Sequence, residues 1–387
     1  MLYSNLKIFD KHGLFADGSL AVKDGLFALS DEKANDEFAG LYALPGYVDV
    51  HTHGALKLDF EDCNVDEALR MLNFYACAGT LYIMPTIGTV EFEHICNAAD
   101  TILAAAEKIK EEKLDCATVM GIHFECRYLN PVRAGAHAPH LLVAPNCDEA
   151  DMLIDKGEAA SKRLGRHLYV HFTIAPELDG GLEFIKHVKA RGATVSIGHS
   201  DADAAQAKAA IDAGAVAFTH LFNALRPINH RSSSSIVTAL LSDAYTEFIC
   251  DGKHLLPETV QLIKHSKSYE RTVLITDSVA AGLDEGEKFT FLGGTPAHIE
   301  GGLAIYDDGR VCGSIMTMQK CVENYIAFTG ANMREAAISA VSNPLGMVNA
   351  DGYARMDVGE SANFILVDES FRLRHVFVNG NIIKSYN

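Results

Sequence analysis

Six residues able to bind a metal or transfer a proton stand at the ends of short apolar runs. They are His51 and His53 after YVDV, Glu125 after ATVMGIHF, His199 after ATVSIG, His220 after AVAFT, and Asp277 after TVLIT. Imidazole and carboxylate ligands together suit Zn, Fe, Ni or Mn, whereas an all-oxygen set would favour Mg or Ca. If these runs are neighbouring strands, the sequence predicts a site for a first-row divalent metal.

The spacing of His51 and His53 strengthens this interpretation. Side chains of a strand alternate between its two faces, so residues two apart point to the same side. His-x-His is therefore a sound two-ligand unit. A lone histidine is more often a satisfied polar group in a loop, but four histidines and two carboxylates at strand ends are hard to obtain from structural needs alone.

The runs that carry these residues have the pattern of a parallel barrel. Eight β-rich segments recur between stretches of helical periodicity: YVDVHTH, TLYIMPTI, ATVMGIHFE, LYVHFTIAP, ATVSIGHS, AVAFTHLF, TEFICDG and TVLITDS. Strands that are apolar on both faces and alternate with helices favour an α/β fold with a (β/α)8 TIM-like barrel. An open, doubly wound sheet is the alternative. In a barrel, the carboxyl ends of the strands form the active-site face.

The two ends of the chain differ from the middle. Short segments such as LKIFD, GSLAVKDG and ANFILVDES, separated by Gly and Asp, are typical of antiparallel strands. We predict that residues 1–45 plus 348–387 form a small β-sandwich domain built from both chain ends. Residues 46–347 would then form the barrel.

Composition excludes several classes of function. Lys and Arg total 33 against 51 Asp and Glu, a net charge of −18 that repels nucleic acid and anionic membranes. An anionic substrate must then meet a local basic group. Nine scattered cysteines suit a reducing compartment, and neither a secretory signal nor an apolar membrane-spanning stretch is evident. We therefore expect a cytoplasmic protein.

The motifs, taken in order, resemble a known family. PGYVDVHTHG, the Glu125 strand, IGHSDAD, THLFNAL, ICDGKH, LITDS, GSIMTM and NPLG are similar to segments of the N-acetylglucosamine-6-phosphate deacetylase family of the amidohydrolase superfamily. The fourth predicted strand, LYVHFTIAPE, has no lysine. This argues against the relatives whose two metals are bridged by a carboxylated lysine.

The resemblance implies hydrolysis of the acetamide of a phosphorylated amino sugar. Glu125, His199 and His220 match the family's metal ligands, and His51 and His53 match positions that bind a second metal in some members. One or two divalent ions are thus implied, zinc first, with Fe, Ni or Mn as alternatives. Asp277 matches the catalytic aspartate, which takes a proton from the attacking water and returns it to the departing amine.

The same resemblance implies a set of substrate contacts. An arginine that some members supply across a homodimer interface to the phosphate corresponds to Arg231. The other matching positions are Ala136, His137, Asn223, Ala224, Asp251, His254, Val311, Cys312 and Gly313.

The departures from the family pattern lie on the substrate side. Cys126 and Arg127 follow Glu125 where the family has Gly-Pro, and four serines follow Arg231. Arg127 would reach a substrate anion or pair with a neighbouring acid, and Cys126 is more often packing than nucleophile. The alternatives are therefore the same chemistry on N-acetylgalactosamine 6-phosphate or another amide, and a barrel that binds a sugar phosphate without turnover.

Overall fold

A computed structural model describes residues 1–30 and 34–386 of the chain. Residues 31–33 and 387, which belong to the predicted small domain, lie outside the described residues. The strands are β1 (Leu2–Phe9), β2 (Phe15–Lys23), β3 (Leu26–Ala28), β4 (Tyr42–Leu44), β5 (Tyr47–Thr52), β6 (Gly54–Ala55), β7 (Leu58–Asp59), β8 (Thr80–Ile87), β9 (Thr118–Val119), β10 (Gly121–Phe124), β11 (Tyr169–Ile174), β12 (Thr194–Ile197), β13 (Ala217–Phe218), β14 (Tyr245–Ile249), β15 (Thr272–Ile275), β16 (Lys288–Phe291), β17 (Thr295–Glu300), β18 (Leu303–Tyr306), β19 (Val311–Gly313), β20 (Phe364–Val367), β21 (Leu373–Val378) and β22 (Asn381–Ser385).

The helices lie mostly between the central strands. They are α1 (Val65–Cys77), α2 (Phe92–Glu112), α3 (Cys147–Leu164), α4 (Gly181–Ala190), α5 (Ala204–Ala213), α6 (Ser235–Leu241), α7 (Pro257–Ser266), α8 (Met318–Thr329), α9 (Met333–Ala337) and α10 (Asn343–Met347). In the part of the chain that the structure describes, no helix is both long and apolar enough to cross a lipid bilayer.

The eight predicted central strands are all present and form a parallel barrel. Their order is β5, β8, β10, β11, β12, β13, β14, β15, with β9 also paired to β8. The N–H of Asp277, just after β15, donates to the carbonyl of His51 in β5 at 2.9 Å. Since the last strand thereby meets the first, the barrel prediction is confirmed and the open sheet is excluded.

Helix α1 illustrates how the sequence builds the outer layer. Asn64 caps its start, accepting the N–H groups of Asp66 and Glu67, while the Glu67 side chain accepts the Asn64 N–H. This capping box satisfies backbone donors that the first turn leaves free. Met71 and Tyr75 on one face are fully buried, so the helix packs its apolar stripe inward.

Both chain ends meet in one small β domain, as the predicted fold class requires. Its seven-stranded sheet has the order β22, β21, β20, β4, β1, β2, β3. Phe364 and Phe377 stack there with ring centroids 4.1 Å apart. The domain limits at residues 45 and 348 stay a prediction.

A four-stranded antiparallel sheet, β16 to β19, was missed by the sequence analysis. It follows the last barrel strand and has its own core, which includes Phe289, Phe291 and Ile299. The alternation in KFTF, followed by Gly-Gly, is a strand-and-turn signal that could have located it. This sheet borders the site described below.

The stacked pair Phe364 and Phe377 gives a test of the small domain. Phe364 is fully buried, and replacing a buried phenylalanine with alanine costs about 3–5 kcal/mol. We expect Phe364→Ala to lower the free energy of unfolding by that amount in urea titrations followed by circular dichroism. Leu29→Ala is the control, because Leu29 is 86% exposed; equal stabilities of the two variants would contradict the packing.

Candidate metal centre and active site

The six residues singled out by sequence converge at one end of the barrel. His51 is the penultimate residue of β5, and the others follow within two residues of the ends of β5, β10, β12, β13 and β15. His199, His220 and Asp277 have positive φ angles of 44°, 27° and 46°. Non-glycine residues adopt this region at a cost of about 1–3 kcal/mol each, and such strain clusters at active sites. Here it accompanies the sharp turns that bring these side chains together.

The carboxylate of Glu125 stands between two groups of imidazoles. Its Oε1 lies 3.2 Å from His199 Nε2 and 2.9 Å from His220 Nε2. Its Oε2 lies 3.4 Å from His51 Nε2 and 3.2 Å from His53 Nε2. Glu125 thus faces a different pair of histidines with each oxygen.

Asp277 lies next to the His-x-His pair, on the same side of the cluster as Glu125 Oε2. Its Oδ1 lies 3.4 Å from His51 Nε2 and 3.5 Å from His53 Nε2. One potential ligand atom from each of His51, His53, Glu125 and Asp277 lies within 4.8 Å of the others. This is a suitable donor set for a divalent ion.

Three of the histidines are oriented by partners that only accept hydrogen bonds. His199 Nδ1 is 2.8 Å from the carbonyl of Arg133. His51 Nδ1 is 3.2 Å from Glu247 Oε2, and His53 Nδ1 is 3.4 Å from Glu61 Oε1. A carbonyl or carboxylate oxygen cannot donate, so the proton is on Nδ1 in each neutral ring.

It follows that three Nε2 lone pairs point at carboxylate oxygens. Acceptors directed at one another need a cation between them, either a proton or a metal. His51 Nε2, which is buried, makes no hydrogen bond to any described residue. The residues therefore fit a borderline divalent metal, as the imidazole and carboxylate chemistry also requires.

His137 has the opposite hydrogen bonding. Its Nδ1 accepts the backbone N–H of Thr89 at 3.3 Å, so in the neutral ring the proton is on Nε2. Burial lowers the pKa of His137 to about 4, which keeps the ring neutral at pH 7. Nε2 lies 3.6 Å from Glu125 Oε2, and although His137 belongs with Glu125 and His199 to a group able to hold a metal ion, in this tautomer its Nε2 carries a proton in place of a free lone pair.

The electrostatics of the site favour cations. Burial alone would lower the pKa of His51, but the charges of Glu125 and Asp277 raise it well above the usual value. Burial also opposes charge on His53, yet its hydrogen bonds to Glu125 and Glu61 raise its pKa to about 9. The same negative field attracts a metal ion, and protons compete with it as the pH falls.

A cavity opens over this cluster, and most of the predicted substrate residues line it: Ala136, His137, Asn223, Ala224, His254, Val311, Cys312 and Gly313. Asp251 lies behind His254, with its Oδ2 2.6 Å from His254 Nδ1. Arg231 is exposed and is not among the lining residues. Phe291 and Leu292, from the missed sheet, also line the cavity.

Known proteins of similar sequence and structure include deacetylases of phosphorylated N-acetyl amino sugars. The chain is 30% identical to the N-acetylglucosamine-6-phosphate deacetylase of Bacillus subtilis (strain 168), over 99% of this chain and 96% of that protein. It is 29% identical to the N-acetylgalactosamine-6-phosphate deacetylase of Escherichia coli O157:H7, over 97% of each. No protein-family profile matches the chain.

Among solved structures, one from Mycobacterium smegmatis has a TM-score of 0.86 at 26% identity, covering 100% of this chain and 99% of that one. It is an aspartate-to-alanine mutant of N-acetyl-D-glucosamine-6-phosphate deacetylase in complex with N-acetyl-D-glucosamine-6-phosphate. Our chain belongs to the N-acetylglucosamine-6-phosphate deacetylase family. Enzymes of this amidohydrolase family depend on a metal, and the described cluster is able to bind one.

The two residues that depart from the deacetylase family pattern after Glu125 do not line the cavity. Arg127 Nε lies 3.3 Å from Glu149 Oε2, and its guanidinium lies over the Phe92 ring. Of the two alternatives for Arg127, the structure shows pairing with an acid. Cys126 is 2% exposed and burial raises the pKa of its thiol, which makes it a poor nucleophile.

Two buried glutamates of this deacetylase-family site are not evident from the sequence pattern. Glu61 and Glu247 contact the His-x-His pair from behind. Glu61 lies in a loop and Glu247 in the middle of β14, so neither stands at the carboxyl end of a barrel strand. A buried acid inside the apolar run TEFI was the available signal for Glu247.

The tautomer of His137 gives a test within the deacetylase-family site. We expect His137→Gln to keep the wild-type metal content, because the protonated Nε2 does not bind a cation. His199→Gln removes a lone pair that faces Glu125 and should lose metal. Metal analysis after dialysis measures both, with wild type as reference, and loss of an ion from His137→Gln would show that our tautomer is wrong.

Proposed function

We propose that the protein hydrolyses the N-acetyl group of N-acetylglucosamine 6-phosphate, releasing glucosamine 6-phosphate and acetate. One observation carries the proposal. In a chain of this deacetylase family, Glu125 and the Nε2 atoms of His51, His53, His199 and His220 converge beside Asp277 under an open cavity.

Two groups of residues would hold metal in this proposal. Glu125, His199 and His220 form the first group, and His51 and His53 share Glu125 with it to form the second. Zinc suits this donor set best, and Fe, Ni or Mn also fit. A bound divalent ion lowers the pKa of water toward about 7 and polarises an amide carbonyl.

The protein's own groups then move the protons. Asp277 takes a proton from the attacking water as the new carbon–oxygen bond forms, and returns it to the amine nitrogen as the carbon–nitrogen bond breaks. Burial alone would raise the pKa of Asp277, but the charge of His51 holds it below the usual value, so the carboxylate is ready to accept a proton. His137 donates its Nε2–H to the carbonyl oxygen as negative charge develops there.

The cavity residues would position the sugar. Asn223 and His254 supply polar groups, and Asp251 orients the His254 ring by its hydrogen bond. Ala136, Ala224 and the backbone from Val311 through Cys312 to Gly313 give the remaining wall. N-acetylgalactosamine 6-phosphate is the second candidate substrate, which the resemblance to the Escherichia coli enzyme supports.

We also propose a homodimer in which Arg231 reaches the phosphate bound by the partner subunit. Arg231 is exposed, and does not line the cavity of its own chain. A net charge of −18 makes a local cation necessary for binding a phosphate. We place the enzyme in the cytoplasm because all nine cysteines are free thiols, which suits a reducing compartment.

The role of Asp277 is tested by Asp277→Asn, which keeps the shape but removes the proton acceptor. General acid–base catalysis contributes a factor of about 10²–10⁴, so acetate release from N-acetylglucosamine 6-phosphate should fall at least 100-fold. The galacto epimer and the unphosphorylated sugars are assayed in parallel with metal-defined enzyme.

Asp308→Asn is the matched control, because Asp308 is an exposed acid paired with Arg310. Wild-type protein that binds metal and the sugar phosphate but releases no acetate would refute the proposed activity and favour a binding protein. Faster turnover of the galacto epimer would reassign the substrate.

The role of Arg231 is tested by Arg231→Met. A hydrogen bond to a charged group contributes about 1.5–3 kcal/mol, so the KM for the phosphorylated substrate should rise about 10- to 100-fold with little change in kcat. The KM for the unphosphorylated sugar should not change. Arg163→Met, on the exposed side of α3, is the control; an unchanged KM in Arg231→Met would contradict the phosphate contact.

A further inference from the structure

Glu61 and Glu247 are buried behind the His-x-His pair and have no part in the mechanism above. Glu247 is fully buried and Glu61 is 2% exposed. Glu247 Oε2 lies 3.2 Å from His51 Nδ1 and accepts the backbone N–H of His220 at 3.4 Å. It therefore connects the two histidine groups that face opposite oxygens of Glu125.

Glu61 has the corresponding place behind His53. Its Oε1 lies 3.4 Å from His53 Nδ1 and also accepts the backbone N–H of Gly88, just after β8. The second oxygens, Glu61 Oε2 and Glu247 Oε1, are buried and make no hydrogen bond to described residues. Each glutamate thus contributes one oxygen to a histidine and leaves one without a donor.

Carboxylates in these positions fix the tautomer of the rings in front of them. A histidine that donates its Nδ1–H to a carboxylate presents a more basic Nε2 to a metal, and loss of such a partner weakens metal binding. Both Nε2 atoms point toward Glu125 and Asp277. The arrangement suits a cation on the His-x-His side of the cluster.

The charges support the same conclusion. Glu61, Glu125, Glu247 and Asp277 together carry four carboxyl groups around the two rings. Among the described residues, the single buried lysine or arginine is Lys267, and its Nζ binds the carbonyl oxygens of Ala239 and Ser242 instead. Uncompensated buried carboxylates are very unfavourable, so these four groups need cations beside them, and a divalent ion at the His-x-His pair would supply positive charge there.

We propose that Glu61 and Glu247 are positioning residues that hold a second divalent ion at His51 and His53, by fixing both Nδ1–H tautomers and supplying negative charge. This inference rests on the metal-dependent function proposed above but not on the identity of the sugar. Neither glutamate side chain contacts the imidazole ring of His199 or His220, and Glu247 reaches His220 only through its backbone N–H. The two ions should therefore respond differently to the same substitution.

The experiment measures zinc binding to apoprotein by equilibrium dialysis and metal analysis. Wild type should bind two ions per chain. Glu61→Gln and Glu247→Gln remove the charge at constant size. Each substitution should lower the zinc affinity of one site about 10- to 100-fold, while the affinity of the other site stays unchanged. His51→Gln is the reference for loss of the second ion.

Glu335→Gln is the matched control, because Glu335 is a half-buried glutamate that caps α9 and pairs with Lys264. Its two zinc affinities should equal those of wild type. Circular dichroism and the melting temperature verify the fold of each variant. If the glutamates had only a structural role, their substitution would lower the melting temperature and the zinc affinity of both sites together. That result would overturn the proposal.

Unchanged affinity for both ions in Glu61→Gln and Glu247→Gln, or a single ion in wild type, would also overturn it. Acetate release is measured on the same samples. Active wild type with unaltered metal binding in both variants defeats this inference alone. Inactive wild type with the expected differential loss of zinc defeats the proposed activity alone.

Discussion

The site depends on the burial of one carboxylate among imidazoles. Glu125 is 2% exposed, and burial by itself would raise its pKa, yet the charges of His51 and His199 hold that pKa well below the usual value. A charge at this depth is stable only with a cation beside it. The barrel provides that environment by ending five strands at the same place, with a histidine or an acid after each.

The backbone contributes to this arrangement by adopting strained conformations. His199, His220 and Asp277 all have left-handed backbone conformations immediately after their strands. The closed hydrogen-bonded barrel below them supports this strain, as buried scaffolds do at functional sites. The four-stranded sheet then places Phe291 edge-to-face against His53, with ring centroids 5.5 Å apart, and forms a side wall of the cavity.

The sequence was informative where a regular pattern decides position. Strand alternation and barrel topology were sufficient to predict that His51, His53, Glu125 and Asp277 lie close together. The pattern could not locate Glu61, which reaches His53 from a loop, or predict that the Thr89 N–H sets the tautomer of His137. Those contacts depend on loop conformation and strand register, which a single sequence does not specify. Arg127 could not be assigned either, since its partner Glu149 lies on a helix that follows much later.

The central claim is that Glu125 is the ligand shared by both histidine groups. A crystal structure of the zinc-loaded protein, with anomalous scattering measured at the zinc edge, tests it most directly. The account predicts one zinc peak beside each oxygen of Glu125, one next to His199 and His220 and the other next to His51 and His53. Zinc bound only at other residues, or a Glu125 side chain turned away from the metal, would contradict it.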